Sequence, residues 1–213
     1  MSESVLRHGL SEAALREAAV VVRGGGVIAF PTETFYGLGV NPFDGRAVQR
    51  VFDLKGRSTM LSPLLVLIRS RAALGALVSE ITPTADRLME ACWPGPLTLV
   101  FRSSAAVPIM LTAGTGTIGV RLSAHPDVQR LLEAVGGPLT GTSANRSGHP
   151  PATMAEEVQL SLGTGVDLIL DGGPTPGGLP STVLDATVSP PRLIREGRIP
   201  RASLLSVVGS LAA

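Results

Sequence analysis

Residues 11–39 read SEAALREAAVVVRGGGVIAFPTETFYGLG, and this stretch sets the fold class. Ser11 can cap a helix that runs to Arg23, with Glu12 in its first turn, where the helix dipole favours an anion. Gly24-Gly25-Gly26 then stops it. Val27 to Phe30 is a short apolar strand closed by Pro31, and a loop dense in hydroxyls follows. Helix, glycine turn, buried strand and polar loop in that order are the unit of an α/β protein.

The unit recurs along the chain. Asp44 caps a second predicted helix through Leu54, with Val48, Val51 and Phe52 on one face. Further strands are predicted at Pro63–Ile68, Leu97–Phe101, Thr117–Leu122, Pro138–Thr140, Asp167–Leu170, Thr182–Asp185 and Arg192–Arg195. Further helices are predicted at Ala72–Val78, Pro83–Ala91, Asp127–Val135 and Met154–Leu162. Strands and helices mostly alternate, and strands cluster near the C-terminus. The expected architecture is therefore α/β of the α+β type, a twisted mixed parallel/antiparallel sheet with flanking helices. Its 213 residues suit a single domain with a core over about residues 10–205; Gly172–Pro180 reads as a loop rather than a linker.

Composition removes several classes. Hydrophobic residues make up 44%, enough for a sizeable core, and aromatics only 3%, so that core is built of Val, Leu, Ile and Ala. The single cysteine, Cys92, excludes an internal disulfide and any Cys-rich metal site. No apolar run approaches the roughly 18 residues of a membrane span, and the N-terminus has no secretory pattern, so no membrane partner and a cytoplasmic location are expected. Net charge is +1, yet Lys55 is the only lysine among 18 basic residues. A site built around one compact ammonium rejects the planar guanidinium, so a lone lysine marks a candidate phosphate ligand.

Familiar motifs fail in informative ways. Gly114-Thr-Gly116-Thr-Ile-Gly119 has the letters of a dinucleotide loop but leads into a strand rather than a helix, so it reads as a turn. Lys55 is followed by Gly56, which closes the Walker A reading, and it ends a helix, which closes the kinase one. The three histidines, His8, His125 and His149, have no zinc spacing, and no Gly-x-Ser-x-Gly elbow exists. Trp93-Pro94-Gly95-Pro96 reads as scaffold at a helix-to-strand crossing.

Four polar clusters remain, each near a strand or helix end, where α/β sites form. They are Pro31 to Gly39; Lys55-Gly56-Arg57, two cations able to converge on one polyanion; Thr140 to Gly148; and Arg121 with Ser181-Thr182 and Arg195. The Gly-rich third cluster, with Gly141, Ser143 and Asn145, suits phosphate oxygens or a hydrated Mg²⁺. Each has a plain structural reading too: Ser143 and Asn145 as turn caps, Lys55 and Arg57 as a solvated helix end, Arg121 and Arg195 as surface salt bridges. Together the four favour a nucleotide-phosphate site.

The motifs Pro31-Thr-Glu-Thr-Phe-Tyr-Gly-Leu, Lys55-Gly-Arg57, Trp93-Pro-Gly-Pro-Leu-Thr, Thr142-Ser-Ala-Asn145-x-Ser-Gly, Ser181-Thr-Val-Leu-Asp185 and Ile194-Arg-Glu-Gly197 occur in this order. In order and spacing they resemble the YrdC-like family, the threonylcarbamoyl-AMP synthases. That resemblance implies formation of threonylcarbamoyl-adenylate and pyrophosphate from L-threonine, bicarbonate and ATP, with Mg²⁺ carried by ATP. A separate transferase then passes the threonylcarbamoyl group to tRNA. It implies catalytic and ATP-binding roles for Lys55 and Arg57, and ATP contacts for Ser62, Thr117, Ser143, Asn145 and Arg195. It places Thr34, Arg121, Gly141 and Ser181 on the threonine side, with Arg121 bidentate to the carboxylate. No metal is expected on protein ligands alone, Ser143 and Asn145 being candidates to reach ATP-bound Mg²⁺.

The sequence departs from the family pattern after Arg57: Ser58 replaces a proline, Ser62 an asparagine, and Leu67 stands in place of a histidine. Two alternatives stay open. One is a non-catalytic member that binds double-stranded RNA or tRNA through its arginines; the other is carbamoyl transfer, as in the related domain of hydrogenase-maturation proteins. Lys55 is expected to be an exposed helix-end cation, so Lys55→Ala should cut turnover by orders of magnitude and leave thermal stability nearly unchanged.

Overall fold

The structure, a computed structural model, describes residues 5–56 and 63–212. In chain order its first half comprises β1 (Val5–His8), α1 (Glu12–Arg23), β2 (Ile28–Phe30), β3 (Gly37–Gly39), α2 (Gly45–Lys55), β4 (Leu65–Ile68), α3 (Leu74–Leu77), α4 (Pro83–Cys92) and β5 (Leu97–Arg102). Then come β6 (Thr117–Leu122), α5 (Pro126–Val135), β7 (Leu139–Thr140), β8 (Thr142–Ser143), α6 (Ala155–Leu162), β9 (Leu168–Asp171), β10 (Thr182–Asp185), β11 (Arg192–Arg195) and α7 (Arg201–Val208).

The mixed sheet is divided in two. Five strands run in the order β1-β9-β2-β3-β8 and six in the order β11-β10-β5-β6-β4-β7. In the five-stranded sheet β9 is parallel to both β1 and β2, and β3 is antiparallel to both β2 and β8. In the six-stranded sheet the two kinds alternate: β10 is parallel to β5, β5 antiparallel to β6, and β6 parallel to β4. The chain steps from one sheet to the other at Gly141, between β7 and β8. The expected Gly114–Gly119 turn leads into β6.

Local chemistry sets the helix ends. The Ala14 N–H donates to Ser11 Oγ at 3.2 Å, and the Arg46 and Ala47 N–H groups donate to Asp44 Oδ1 at 2.9 and 3.2 Å, which satisfies amides that the first turn leaves unpaired. Gly56 closes α2 at φ +59°, a left-handed cap that only glycine adopts without strain. Helices α1 and α5 pack side by side over one apolar cluster with Phe30, Leu67, Leu139 and Leu170. A larger cluster joins Val51 and Phe52 of α2 to Leu88, Leu99, Val120, Val158 and Ile169. Leu67, where the resemblance implies a histidine, is fully buried in the first of these clusters.

Candidate functional site

A cavity of about 1020 Å³ opens over the six-stranded sheet, at the upper end of volumes for small-ligand sites. Strand pleating builds its floor. Successive side chains alternate faces, so Thr98 and Val100 of β5 and Thr117, Gly119 and Arg121 of β6 line the cavity, while Leu97, Leu99, Ile118 and Val120 enter the core. The walls come from the loop after β2, the end of α2, the loop after β8, and the segments around β10 and β11.

Every described residue of the expected site lies here: Thr34, Lys55, Thr117, Arg121, Gly141, Ser143, Asn145, Ser181 and Arg195. Arg57, Ser58 and Ser62 fall outside the described residues. Among those described, the charged lining is Lys55, Arg121 and Arg195, with no carboxylate. Such a lining selects an anion.

The side chains form two groups. In one, Lys55 Nζ donates to the carbonyl oxygens of Ser143 and Asn145 at 2.6 and 2.8 Å. The Asn145 amide donates to the carbonyls of Arg146 and His149, and Oδ1 is buried with no hydrogen-bond donor among the described residues. Lys55 is only 4% exposed, which corrects the expectation of a solvated helix-end cation. Its burial follows from helix geometry: Val48, Val51, Phe52 and Lys55 share the inward face of α2.

In the second group, Arg121 is buried at 3% exposure, so it is no surface salt bridge. Burial disfavours its charge, the Glu33 carboxylate favours it, and Arg195 disfavours it. Glu33 Oε1 stands 3.6 Å from Arg121 Nε, too far for a hydrogen bond, and both atoms lack one among the described residues. Ser181 Oγ is 3.1 Å from Thr98 Oγ1, and Arg195 donates to the Ser181 carbonyl at 2.8 Å. Ser181 and Arg195, expected on opposite substrate sides, are thus direct neighbours. Thr32 donates its hydroxyl proton to the Phe35 carbonyl at 2.7 Å, so Thr34 supplies the proton of the 3.1 Å Thr32–Thr34 contact. Thr34 thereby keeps lone pairs for a ligand donor.

Some groups are structural. The Tyr36 hydroxyl donates to the Gly173 carbonyl, and burial holds its phenol far above the ordinary range, so it does not serve as an acid or base. Trp93 Nε1 donates to the Leu97 carbonyl at 2.7 Å, which ties α4 to β5 as expected of scaffold. Glu33 is the site residue that sequence reading did not single out.

The chain has relatives among known proteins. The family model named for Sua5, YciO and YrdC, described as "Telomere recombination", matches residues 20–197. The chain belongs to the Sua5/YciO/YrdC family. A threonylcarbamoyl-AMP synthase of Pyrococcus abyssi is 41% identical over 206 residues, which cover 97% of this chain and 60% of that protein. A putative threonylcarbamoyl-AMP synthase of Mycobacterium tuberculosis is 36% identical over 92% of this chain and 89% of its own. The crystal structure of P. abyssi Sua5 complexed with L-threonine superposes with a TM-score of 0.94 at 40% identity, covering 98% of this chain and 62% of that one. The chain thus spans about three-fifths of the P. abyssi relative's length. Among the described residues, no helix of this Sua5/YciO/YrdC member is long and apolar enough to cross a membrane.

Proposed function

We propose that the cavity is the active site of a threonylcarbamoyl-AMP synthase, which joins L-threonine, bicarbonate and ATP into threonylcarbamoyl-adenylate and releases pyrophosphate. The observation that carries this reading is the meeting of Arg121 and the Lys55-held Ser143–Asn145 loop in one cavity whose described lining holds no carboxylate. The threonine carboxylate takes the guanidinium of Arg121, and Thr34 accepts from its amine, with Gly141 and Ser181 beside it. Lys55, Thr117, Ser143, Asn145 and Arg195, together with Arg57 and Ser62, hold ATP.

Threonine's amine and bicarbonate give a carbamate and water. The carbamate oxygen bonds to the α-phosphorus, and the bond to pyrophosphate breaks. No protein nucleophile is needed, so the chain's part is positioning and charge stabilisation. Lys55 acts largely through the loop it fastens, keeping Ser143 and Asn145 in place while adding its charge to the wall.

Mg²⁺ fits as a companion of ATP. No cluster of three His, Cys, Asp or Glu among the described residues could hold it alone, whereas the orphan Asn145 Oδ1 and the Ser143 hydroxyl are hard oxygen donors suited to its hydration shell. When bound it would supply charge neutralisation at the phosphates.

The product then passes to a transferase acting on tRNA, which places the protein in the cytoplasm. Lys55 and Arg121 lie too deep for a duplex backbone to reach, so RNA binding by charge would have to use other arginines. The deciding measurement is pyrophosphate release from ATP and bicarbonate, with L-threonine, serine, valine or no amino acid. Threonine-dependent release is expected; equal release without it overturns the reading.

A further inference from the structure

Two buried polar atoms beside this cavity face each other without bonding. Glu33 Oε1 and Arg121 Nε are 3.6 Å apart, and neither has a hydrogen-bond partner among the described residues. The standoff is built in. Fully buried Ser123 accepts the His125 N–H at 3.2 Å and so turns its own proton to Glu33 Oε2, at 2.6 Å. Arg198 Nη1 donates to the Glu33 carbonyl and fixes the backbone. Glu33 itself does not line the cavity, whereas Arg121 does.

The guanidinium therefore has a carboxylate behind its Nε, while its terminal nitrogens donate to no described residue. Arg195 stands close enough to repel Arg121. Two guanidinium groups alone would make a polyanion site, like the one the Lys55 end offers to phosphates. A fixed negative charge behind one of them removes a full unit of that attraction. A zwitterion is nearly indifferent to this, because Glu33 repels its carboxylate and attracts its ammonium. A ligand bearing only a carboxylate loses that share of the attraction with nothing to offset it.

We infer that Glu33, held by Ser123, is a positioning and specificity residue that reserves the Arg121 end of the cavity for a zwitterionic amino acid and turns simple carboxylates and phosphates away from it. This deepens the proposed function and rests on it. The probes are L-threonine and 3-hydroxybutyrate, which is threonine's skeleton without the amine, titrated calorimetrically into the full chain and its variants.

In the unaltered protein 3-hydroxybutyrate should bind at least about tenfold more weakly than threonine. In Glu33→Gln that preference should shrink by about tenfold or more, chiefly because 3-hydroxybutyrate binds more tightly. A merely structural role would weaken both ligands together. Glu33→Asp, which keeps the charge, should hold the preference within about threefold. Three results overturn the inference: equal binding of the two ligands to the unaltered protein, an unchanged preference in Glu33→Gln, or the same loss of preference in Glu33→Asp. The first needs no variant to fold. Absence of threonine binding to the unaltered protein would instead sink the proposed function.

Discussion

The Lys55 ammonium lies 2.6 Å from the carbonyl oxygen of Ser143, so the end of α2 is fastened to the loop that follows β8. The same nitrogen holds the Asn145 carbonyl at 2.8 Å. A buried cation in this setting is a structural bolt as well as a charge. Lys55→Ala should therefore lose about 1–3 kcal/mol, the range for stranding buried acceptors. Threonine-dependent pyrophosphate release should fall with it by orders of magnitude. Lys55→Arg keeps the charge but brings a planar fork too broad for the place, so its activity should stay low. Urea midpoints beside turnover test this, and an unchanged midpoint in Lys55→Ala would show that the bolt carries no load.

Thr182 governs where Arg195 stands. Its fully buried hydroxyl donates to the Ile199 carbonyl at 2.7 Å and accepts the Gly197 and Ile199 N–H groups, both at 3.0 Å. Thr182→Val keeps the shape and removes all three bonds, so it should cost about 2 kcal/mol or more. Thr182→Ser keeps the hydroxyl and should cost about 1 kcal/mol. Because residues 196–199 directly follow Arg195, the valine variant should also raise the KM for ATP more than that for threonine.

Much of this was legible before any coordinates. Caps at Ser11 and Asp44 and the alternating TIGVRL of β6 follow from local rules. What escaped depends on neighbours. Gly37–Gly39 has a composition that disfavours strands and becomes β3 because β2 and β8 flank it. Val5–His8 is a strand only through pairing with β9, and Arg201–Val208 lacks a clean apolar stripe. The burial of Lys55 was within reach, since it follows Val51 and Phe52 by four and three residues on one helical face. The Glu33–Arg121 relation was not, because it joins a loop to a strand distant in sequence.

Asp171 supplies an acid-sensitive element. Its carboxylate accepts the Gly173 N–H at 2.9 Å, pairs with His8 Nδ1 at 2.9 Å and lies 3.4 Å from the Tyr36 hydroxyl. The Gly173 N–H, followed by His8 and Tyr36, holds the carboxyl below its usual range. A depressed folded value means the stabilisation is complete above the unfolded carboxyl's pKa of about 4 and disappears as pH falls through the lower folded value. Asp171→Asn should thus cost about 1 kcal/mol at neutral pH, and the deficit should vanish on strong acidification. Urea midpoints across that range check it; a deficit that is the same at every pH would assign the loss to shape.

Gly141 carries the chain between the sheets, and its neighbours explain why it has no side chain. Its N–H donates to the Leu65 carbonyl at 2.9 Å, and a Cβ placed on it would lie 2.8 Å from Leu67 Cγ and 3.0 Å from Leu65 Cδ1. Gly141→Ala must push these leucines or shift β8 and Ser143 with it, which should cost about 1–3 kcal/mol. Leu67→Ala alone should cost about 2–5 kcal/mol, since it opens a hole in a packed cluster. The two changes relieve each other, because the hole lies where the new methyl needs to go. The double variant should therefore be more stable than the sum of the single losses by about 1 kcal/mol. Simple additivity in urea unfolding would mean that the new methyl is accommodated by movement of β8, and threonine-dependent turnover should then fall further in Gly141→Ala than in Leu67→Ala.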